Sequence, residues 1–311
     1  MDPVAFRLGP LQVHWYGILI ITGAVLGAFV AGREAKRRGL NPEHVWNLLT
    51  IVLILGIIGA RLYHVFSSPV DGRGWSYYKG HPIEIIAFWS TGADGRPVFT
   101  GLAGLGIYGG VIGGMIGLGI YTYFAKLRFL QWADIVAPGL LLAQSIGRWG
   151  NFVNQELYGP PTTLPWGIPI DCSHRLTKYA CTVFPPETRF HPSFLYESLW
   201  SLVGVGVLLF LGRRWKDWLL EGDVILMYLI WYPLGRFWIE LLFRPDAWTI
   251  GSMPTASLFS LGAIVLGAAG LVFNHRFRRK PVPLSVPAAP ASVAQTGRTK
   301  AGGGKKSGAR S

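Results

Sequence analysis

The sequence predicts an all-α integral membrane protein of seven transmembrane helices, with its N-terminus outside, its C-terminus cytoplasmic and a small extracytoplasmic cap. Three observations carry that prediction: half of the 311 residues are hydrophobic, only 14% are charged, and the apolar residues gather into seven long runs. The runs are Val13–Gly32, Val45–Phe66, Gly101–Phe124, Trp132–Phe152, Phe194–Leu211, Gly222–Phe243 and Ser252–Asn274. Each is long enough to cross ~30 Å of hydrocarbon as a helix. The fourth and sixth contain charged residues or a proline, so a re-entrant segment is the alternative reading there. The first run exceeds a signal-peptide core and lacks a small-residue cleavage site, so it is read as a retained helix.

Orientation follows from the basic residues. Arg33, Lys36, Arg37 and Arg38 follow the first span, Lys126 and Arg128 the third, Arg213, Arg214 and Lys216 the fifth, and Arg276, Arg278, Arg279 and Lys280 the seventh. The excess of Lys and Arg places those ends in the cytoplasm. The formal charge of +13 looks like a nucleic-acid signal until it is located. Nine Lys or Arg and no acid lie from His275 to Ser311, leaving +4 for the rest. Residues 1–275 therefore read as the membrane domain, and 276–311 as a basic, disordered tail near anionic inner-leaflet lipid; no nucleic-acid partner is expected.

The outer connections are the long ones. Ser67–Thr100 is one, and the segment of about 153–192, rich in Pro and Thr, is read as the cap. Both cysteines, Cys172 and Cys181, fall in it; an oxidising compartment permits a disulfide, and the sequence leaves the pairing open. The third span is rich in glycine. Gly106, Gly110 and Gly114, like Gly109, Gly113 and Gly117, stand four apart and share a face, the pattern of close helix packing. No internal repeat is found, and an odd number of spans does not divide into the matched halves common in secondary transporters.

Ionisable groups inside a span cost about 2.5–3.5 kcal/mol each on insertion scales, so each asks for a partner or a wet cavity. Arg148, Asn151 and Asn154 are spaced by three at the outer end of the fourth span, with Glu156 just beyond. On a helix that puts a guanidinium and two amides near one stripe, an arrangement suited to phosphate oxygens. Tyr232, Arg236 and Glu240 are spaced by four on the sixth span and form a second stripe; the bland alternative is that Arg236 and Glu240 only neutralise each other. Arg61 and Glu197 read as a structural pair. His14, Trp15 and Tyr16 open the first span, where an aromatic belt is expected in any case, although His14 and Tyr16 have polar ends that reach a headgroup. Tyr108 stands among glycines that clear space around its phenol, and His191 precedes Ser193, a helix cap by default. Two arginines in a lipid-accessible pocket suit a phosphate-bearing lipid. The sequence has no metal-ligand spacing and no nucleotide loop, so neither a metal nor another cofactor is expected and catalysis rests on electrostatics and proton transfer.

The run Gly147-Arg-Trp-Gly-Asn-Phe-Val-Asn-Gln-Glu156 resembles the signature of bacterial prolipoprotein diacylglyceryl transferases. His14-Trp-Tyr-Gly17, Gly59-Ala-Arg61, Gly106-Ile-Tyr-Gly-Gly110, His191-Pro-Ser-Phe-Leu-Tyr-Glu197 and Arg236-Phe-Trp-Ile-Glu240 follow the same family's order over most of the first 275 residues. The resemblance implies a multi-pass enzyme of the bacterial cytoplasmic (inner) membrane. Its donor is phosphatidylglycerol and its acceptor the lipobox cysteine in the signal peptide of a preprolipoprotein; a thioether forms and glycerol 1-phosphate leaves. By the same resemblance Arg148 and Arg236 bind phosphate and stabilise charge, with Asn151, Glu156 and Glu240 ordering them, and Tyr16 and Tyr232 match active-site tyrosines. One departure stands out: several members carry a histidine, proposed as base, where this chain has Tyr108. A phenol with a reference pKa of ~10 is a poor base at neutral pH unless an arginine lowers it, so Tyr108 is expected to orient donor or thiol.

Overall fold

The computed structural model describes residues 2–9, 11–67, 74–86, 89–91, 97–99, 105–245, 247, 249–278 and 284. In chain order its elements are a hairpin of β1 (Val4–Leu8) and β2 (Leu11–His14), then α1 (Trp15–Arg37), α2 (Glu43–Phe66), a one-turn α3 (Trp75–Tyr78), β3 (Trp89–Thr91) and β4 (Pro97–Phe99). There follow α4 (Ile107–Phe124), α5 (Phe129–Val153), β5 (Ile168–Pro169), β6 (Arg189–Phe190), α6 (Ser193–Arg214), α7 (Asp223–Phe243), β7 (Thr249–Ile250), β8 (Met253–Pro254) and α8 (Thr255–Arg276). All the helices except α3 are long and apolar enough to span a membrane, seven among the described residues, as the sequence predicts. The strands form two-stranded antiparallel ribbons, one before the first spanning helix and the others between helices. The basic tail from residue 279 on lies outside the described residues, Leu284 apart.

Burial is arranged for lipid rather than water. Large apolar side chains such as Ile54, Ile112, Phe210 and Leu266 are exposed, while Ala28, Ala31, Ala35, Ser201 and Ser257 are buried. Lipid tails are as apolar as leucine, so helices in a bilayer gain by close contact of small residues. The α2–α4 pair shows this directly: a Cβ on Gly59 would lie 2.3 Å from the Gly109 carbonyl oxygen, and one on Gly113 would lie 2.1 Å from that of Leu55. The α1–α5 pair uses Gly27 and Gly139 in the same way, with the Cβ of one 2.5 Å from the carbonyl oxygen of the other. The α6–α7 pair is joined by two indoles, each donating to the other's backbone: Trp200 Nε1 to the Trp231 carbonyl at 2.9 Å and Trp231 Nε1 to the Trp200 carbonyl at 3.0 Å.

At one face of the bundle the helix ends are tied by a buried polar knot. Asp134 of α5 accepts the backbone N–H groups of Gly222 at 2.7 Å and Ile225 at 2.9 Å, capping α7 from a neighbouring helix. Gly222 has φ +99°, which glycine adopts without strain. Asp223 accepts from Asn274 and His275 of α8, each at 2.7 Å. Glu34 pairs with Arg37 and, at 3.0 Å, with Arg38.

The opposite face carries the segment between α5 and α6. Tyr158, Ile170 and Phe190 form its own small core. Arg175 crosses this segment, donating to the carbonyls of Ile170 at 2.9 Å and Pro185 at 3.0 Å, with its guanidinium 5.1 Å from the Phe190 ring centroid. Cys172 and Cys181, whose pairing the sequence leaves open, are disulfide-bonded, with Cα atoms 5.6 Å apart. Lys178 Nζ donates to the Pro245 carbonyl at 2.5 Å and so joins this cap to the end of α7.

The glycine contact between α2 and α4 gives a direct test. Gly59→Ala is expected to lower unfolding stability in micelles by about 1–3 kcal/mol, whereas Gly262→Ala, which has open space around it, leaves the thermal transition unmoved.

Candidate functional site

Three helices bring the polar stripes together beneath the cap. Arg148 lies near the end of α5, Glu197 one turn into α6, and Tyr232, Arg236 and Glu240 along α7. Glu197 is shared: its Oε1 accepts from Arg236 Nη1 at 2.7 Å, and its Oε2 lies 2.5 Å from Arg148 Nη2. Arg236 Nη2 in turn faces Glu240 Oε2 at 2.6 Å, and Arg244 Nη1 stands 3.8 Å from the same oxygen. Buried carboxylates between half-buried guanidinium groups are what a low-dielectric setting requires, because either charge alone would be strongly destabilising. The Arg236–Glu240 pair expected from spacing is present, but as part of a larger network. The pairing of Arg61 with Glu197 is corrected: Glu197 serves the two arginines, and Arg61 donates to the carbonyls of Ile85 at 2.8 Å and Glu84 at 2.6 Å, its guanidinium 5.1 Å from the Tyr78 ring centroid.

Arg148 faces one carboxylate where Arg236 faces two. Glu197 Oε2 is close enough for an ion pair but receives no aligned hydrogen bond. The hydrogen bond of the Arg148 guanidinium goes to the Tyr232 hydroxyl, at 3.3 Å. Most of its fixed fork of N–H donors therefore has no acceptor among the described residues, and a planar donor fork matches a phosphate.

Beyond Arg148 the chain leaves the helix through left-handed Gln155 (φ 52°) and Leu157 (φ 57°), an uncommon conformation for residues with side chains. The turn folds Glu156 back, so that its Oε1 accepts from Asn151 Nδ2 at 2.8 Å and Asn154 Nδ2 at 3.2 Å. Tyr16 of α1 lies against Gly150: a Cβ there would be 2.2 Å from the Tyr16 ring. The phenol is within electrostatic reach of Glu156 and Arg148. An apolar groove of about 580 Å³, lined by Trp15, Leu19, Trp149, Phe152, Val153 and Asp2, opens beside this junction of α1 and α5.

Three predicted residues stand apart from the arginines. Tyr108 is half exposed at the start of α4, with the Tyr63 ring centroid at 5.7 Å and that of Phe259 at 6.3 Å. His14 is exposed and precedes α1. His191 approaches the Tyr196 hydroxyl at 3.0 Å through Nδ1; the reading of Ser193 as a helix cap is corrected, because Ser193 is the first residue inside α6 and its Oγ donates to the Phe243 carbonyl at 3.1 Å instead. Sequence reasoning missed Gln144 and Tyr228, joined at 2.9 Å. Both stand four residues before a residue it did select, Arg148 and Tyr232, so extending the stripes by one turn would have found them.

A family model described as prolipoprotein diacylglyceryl transferase matches residues 3–273. The chain belongs to the prolipoprotein diacylglyceryl transferase family. Among its relatives in that family, the phosphatidylglycerol–prolipoprotein diacylglyceryl transferase of Chloroflexus aggregans is 43% identical over 283 residues, covering 86% of this chain and 87% of the relative. The Streptococcus uberis protein of the same name is 37% identical over 291 residues, covering 91% and 98%. The Nostoc protein is 38% identical over 294 residues, covering 92% and 94%.

Two outcomes follow from the site's electrostatics. Glu197→Leu strands the Arg148 guanidinium and takes one of two carboxylates from Arg236, and is expected to cost about 3–5 kcal/mol; Glu197→Gln keeps an acceptor and is expected to cost less, both read from unfolding in micelles. Burial holds the His191 imidazole below its ordinary value. A depressed folded pKa contributes stability that is complete above the unfolded value of about 6.5 and is lost as the pH falls through the folded value. The acid-side decline of the thermal transition should accordingly flatten in His191→Gln.

Proposed function

We propose that the chain transfers the diacylglyceryl group of phosphatidylglycerol to the thiol of the lipobox cysteine of a preprolipoprotein, the first step of lipoprotein maturation. Family membership supports the overall reaction, and the observation that carries the assignment of the site is the convergence of Arg148 and Arg236 on one carboxylate. In this reading the headgroup phosphate enters where Arg148 has unspent donors, while Arg236, held between Glu197 and Glu240, faces the charge that grows on the leaving group. The sulfur–carbon bond forms at the glycerol carbon that bears the phosphate, the carbon–oxygen bond to phosphate breaks, and glycerol 1-phosphate departs. The thiol proton balances against the second charge of the phosphate monoester.

Asn151, Asn154 and Glu156 hold the turn beside the phosphate, and Tyr16 and Tyr232 close the site above and below it. Tyr108 and His14 line the approach rather than the reacting atoms. The apolar groove beside Trp15 and Trp149 suits an acyl chain. The positive-inside pattern supports a cap facing away from the cytoplasm, in the bacterial inner membrane, with the basic tail near anionic lipid on the cytoplasmic side.

The test is mass spectrometry of a lipobox peptide incubated with the full chain in phosphatidylglycerol liposomes. A diacylglyceryl adduct is expected on the Cys peptide, none on its Cys→Ser counterpart, and a loss of at least about a hundredfold in folded Arg148→Ala. Tyr108→Phe is expected to stay within about tenfold of the parent. A folded parent that yields no adduct overturns the assignment.

A further inference from the structure

The polar stripes continue one turn deeper than the arginines. On α5, Gln144 stands one turn below Arg148; on α7, Tyr228 stands one turn below Tyr232. The rungs face each other in order: Gln144 Nε2 donates to the Tyr228 hydroxyl at 2.9 Å, and Arg148 Nη2 donates to the Tyr232 hydroxyl at 3.3 Å. The two tyrosine rings are parallel, with centroids 6.0 Å apart and planes 3° off. All four side chains are half-buried, and both tyrosines pack against the apolar cluster that holds Ala137, Leu141 and Val205.

The lower rung has hydrogen-bonding capacity that the protein does not use. Gln144 Oε1 is buried with no partner, and the Tyr228 hydroxyl has no acceptor for its hydrogen among the described residues. If the Gln144 amide turns over, the phenol donates to Oε1 and both amide hydrogens become free. Either arrangement leaves at least one donor facing the ladder, at a depth where water is scarce and an unmet polar group is costly.

We propose that Gln144 and Tyr228 form a subsite for the ester carbonyls of the diacylglycerol moiety, and so select ester-linked phospholipid as donor. This rests on the reading of Arg148 and Arg236 as the phosphate site. Four residues of helix rise by about 6 Å. From the phosphorus of a phospholipid to the carbonyl carbon of its middle acyl ester is five bonds, roughly 6 Å when extended at bond lengths near 1.5 Å. A phosphate at the Arg148 rung therefore places an ester carbonyl at the Gln144–Tyr228 rung, where a donor waits. The reaction leaves those esters intact, because the bond that breaks joins glycerol carbon to phosphate oxygen. Replacing ester by ether consequently removes a recognised group without touching the scissile bond.

The experiment measures the KM of the full chain for dioleoyl phosphatidylglycerol and the inhibition constant of its dioleyl diether analogue as competitor, in mixed micelles with a lipobox peptide. The diether is expected to bind the parent about tenfold more weakly than the diester, the effect of one lost hydrogen bond in an apolar site. In Gln144→Leu and Tyr228→Phe the diester is expected to fall to the level of the diether, whose constant moves by less than about twofold. Equal affinity of the two lipids for the parent overturns the proposal and leaves the phosphate reading intact. A parallel loss for both lipids in the variants also overturns it, and marks the pair as a strut between helices. If Arg148→Ala binds both lipids as the parent does, the phosphate reading itself fails. The parent's preference for diester over diether is independent of how any variant folds.

Discussion

Charge inside a hydrocarbon slab has to be answered by charge, and in this protein the sharing of Glu197 between Arg148 and Arg236 is the point on which the rest turns. Two guanidinium groups brought this close would repel and would each carry a large desolvation penalty. One carboxylate from a third helix makes their approach tolerable, so α5, α6 and α7 must meet at this height and in this rotation. A second carboxylate, Glu240, takes the outer side of Arg236 and leaves Arg148 the more open of the two. The same arrangement that compensates the two guanidinium groups thus leaves Arg148 with one carboxylate and donors to spare, which is what the proposed phosphate site requires.

Around that network the molecule is held by contacts of other kinds. Glycines bring α2 against α4 and α1 against α5 until backbones touch. Two reciprocal indole hydrogen bonds tie α6 to α7, and Asp134 caps α7 from the side at the far face. On the near face, a disulfide-closed cap with an arginine through its middle sits over the chain ends that carry the site. The site is therefore built on helices fixed at both ends, a setting that keeps donor geometry in place.

The seven spans are legible in the sequence because apolar length is a direct consequence of bilayer thickness, and spacing by three or four reports which side chains share a helix face. Arg148 with Asn151 and Tyr232 with Arg236 can be read that way. The partner of Glu197 cannot: spacing along one helix says nothing about which arginine on another helix will lie opposite, so Arg61 and Arg148 look equally suitable until the helices are packed. Glu156 folding back on Asn151 depends on two residues in the left-handed region, Gln155 and Leu157, whose side chains give no hint of it. Gln144 and Tyr228 were within reach of the spacing argument but carry no charge, and a search keyed to ionisable groups passes over them.

The contact between Gly59 and Gly109 couples two places that look independent on paper. Arg61, which holds the loop carbonyls of Glu84 and Ile85, lies two residues past one glycine, and Tyr108 immediately precedes the other. A methyl group at either position meets main-chain oxygen, which cannot be trimmed by mutation. No change at the second glycine compensates for a change at the first, since glycine has nothing left to give up. The pair thus behaves as a single heritable unit, and the placement of a loop-anchoring arginine and of a phenol at the approach to the site is inherited with it.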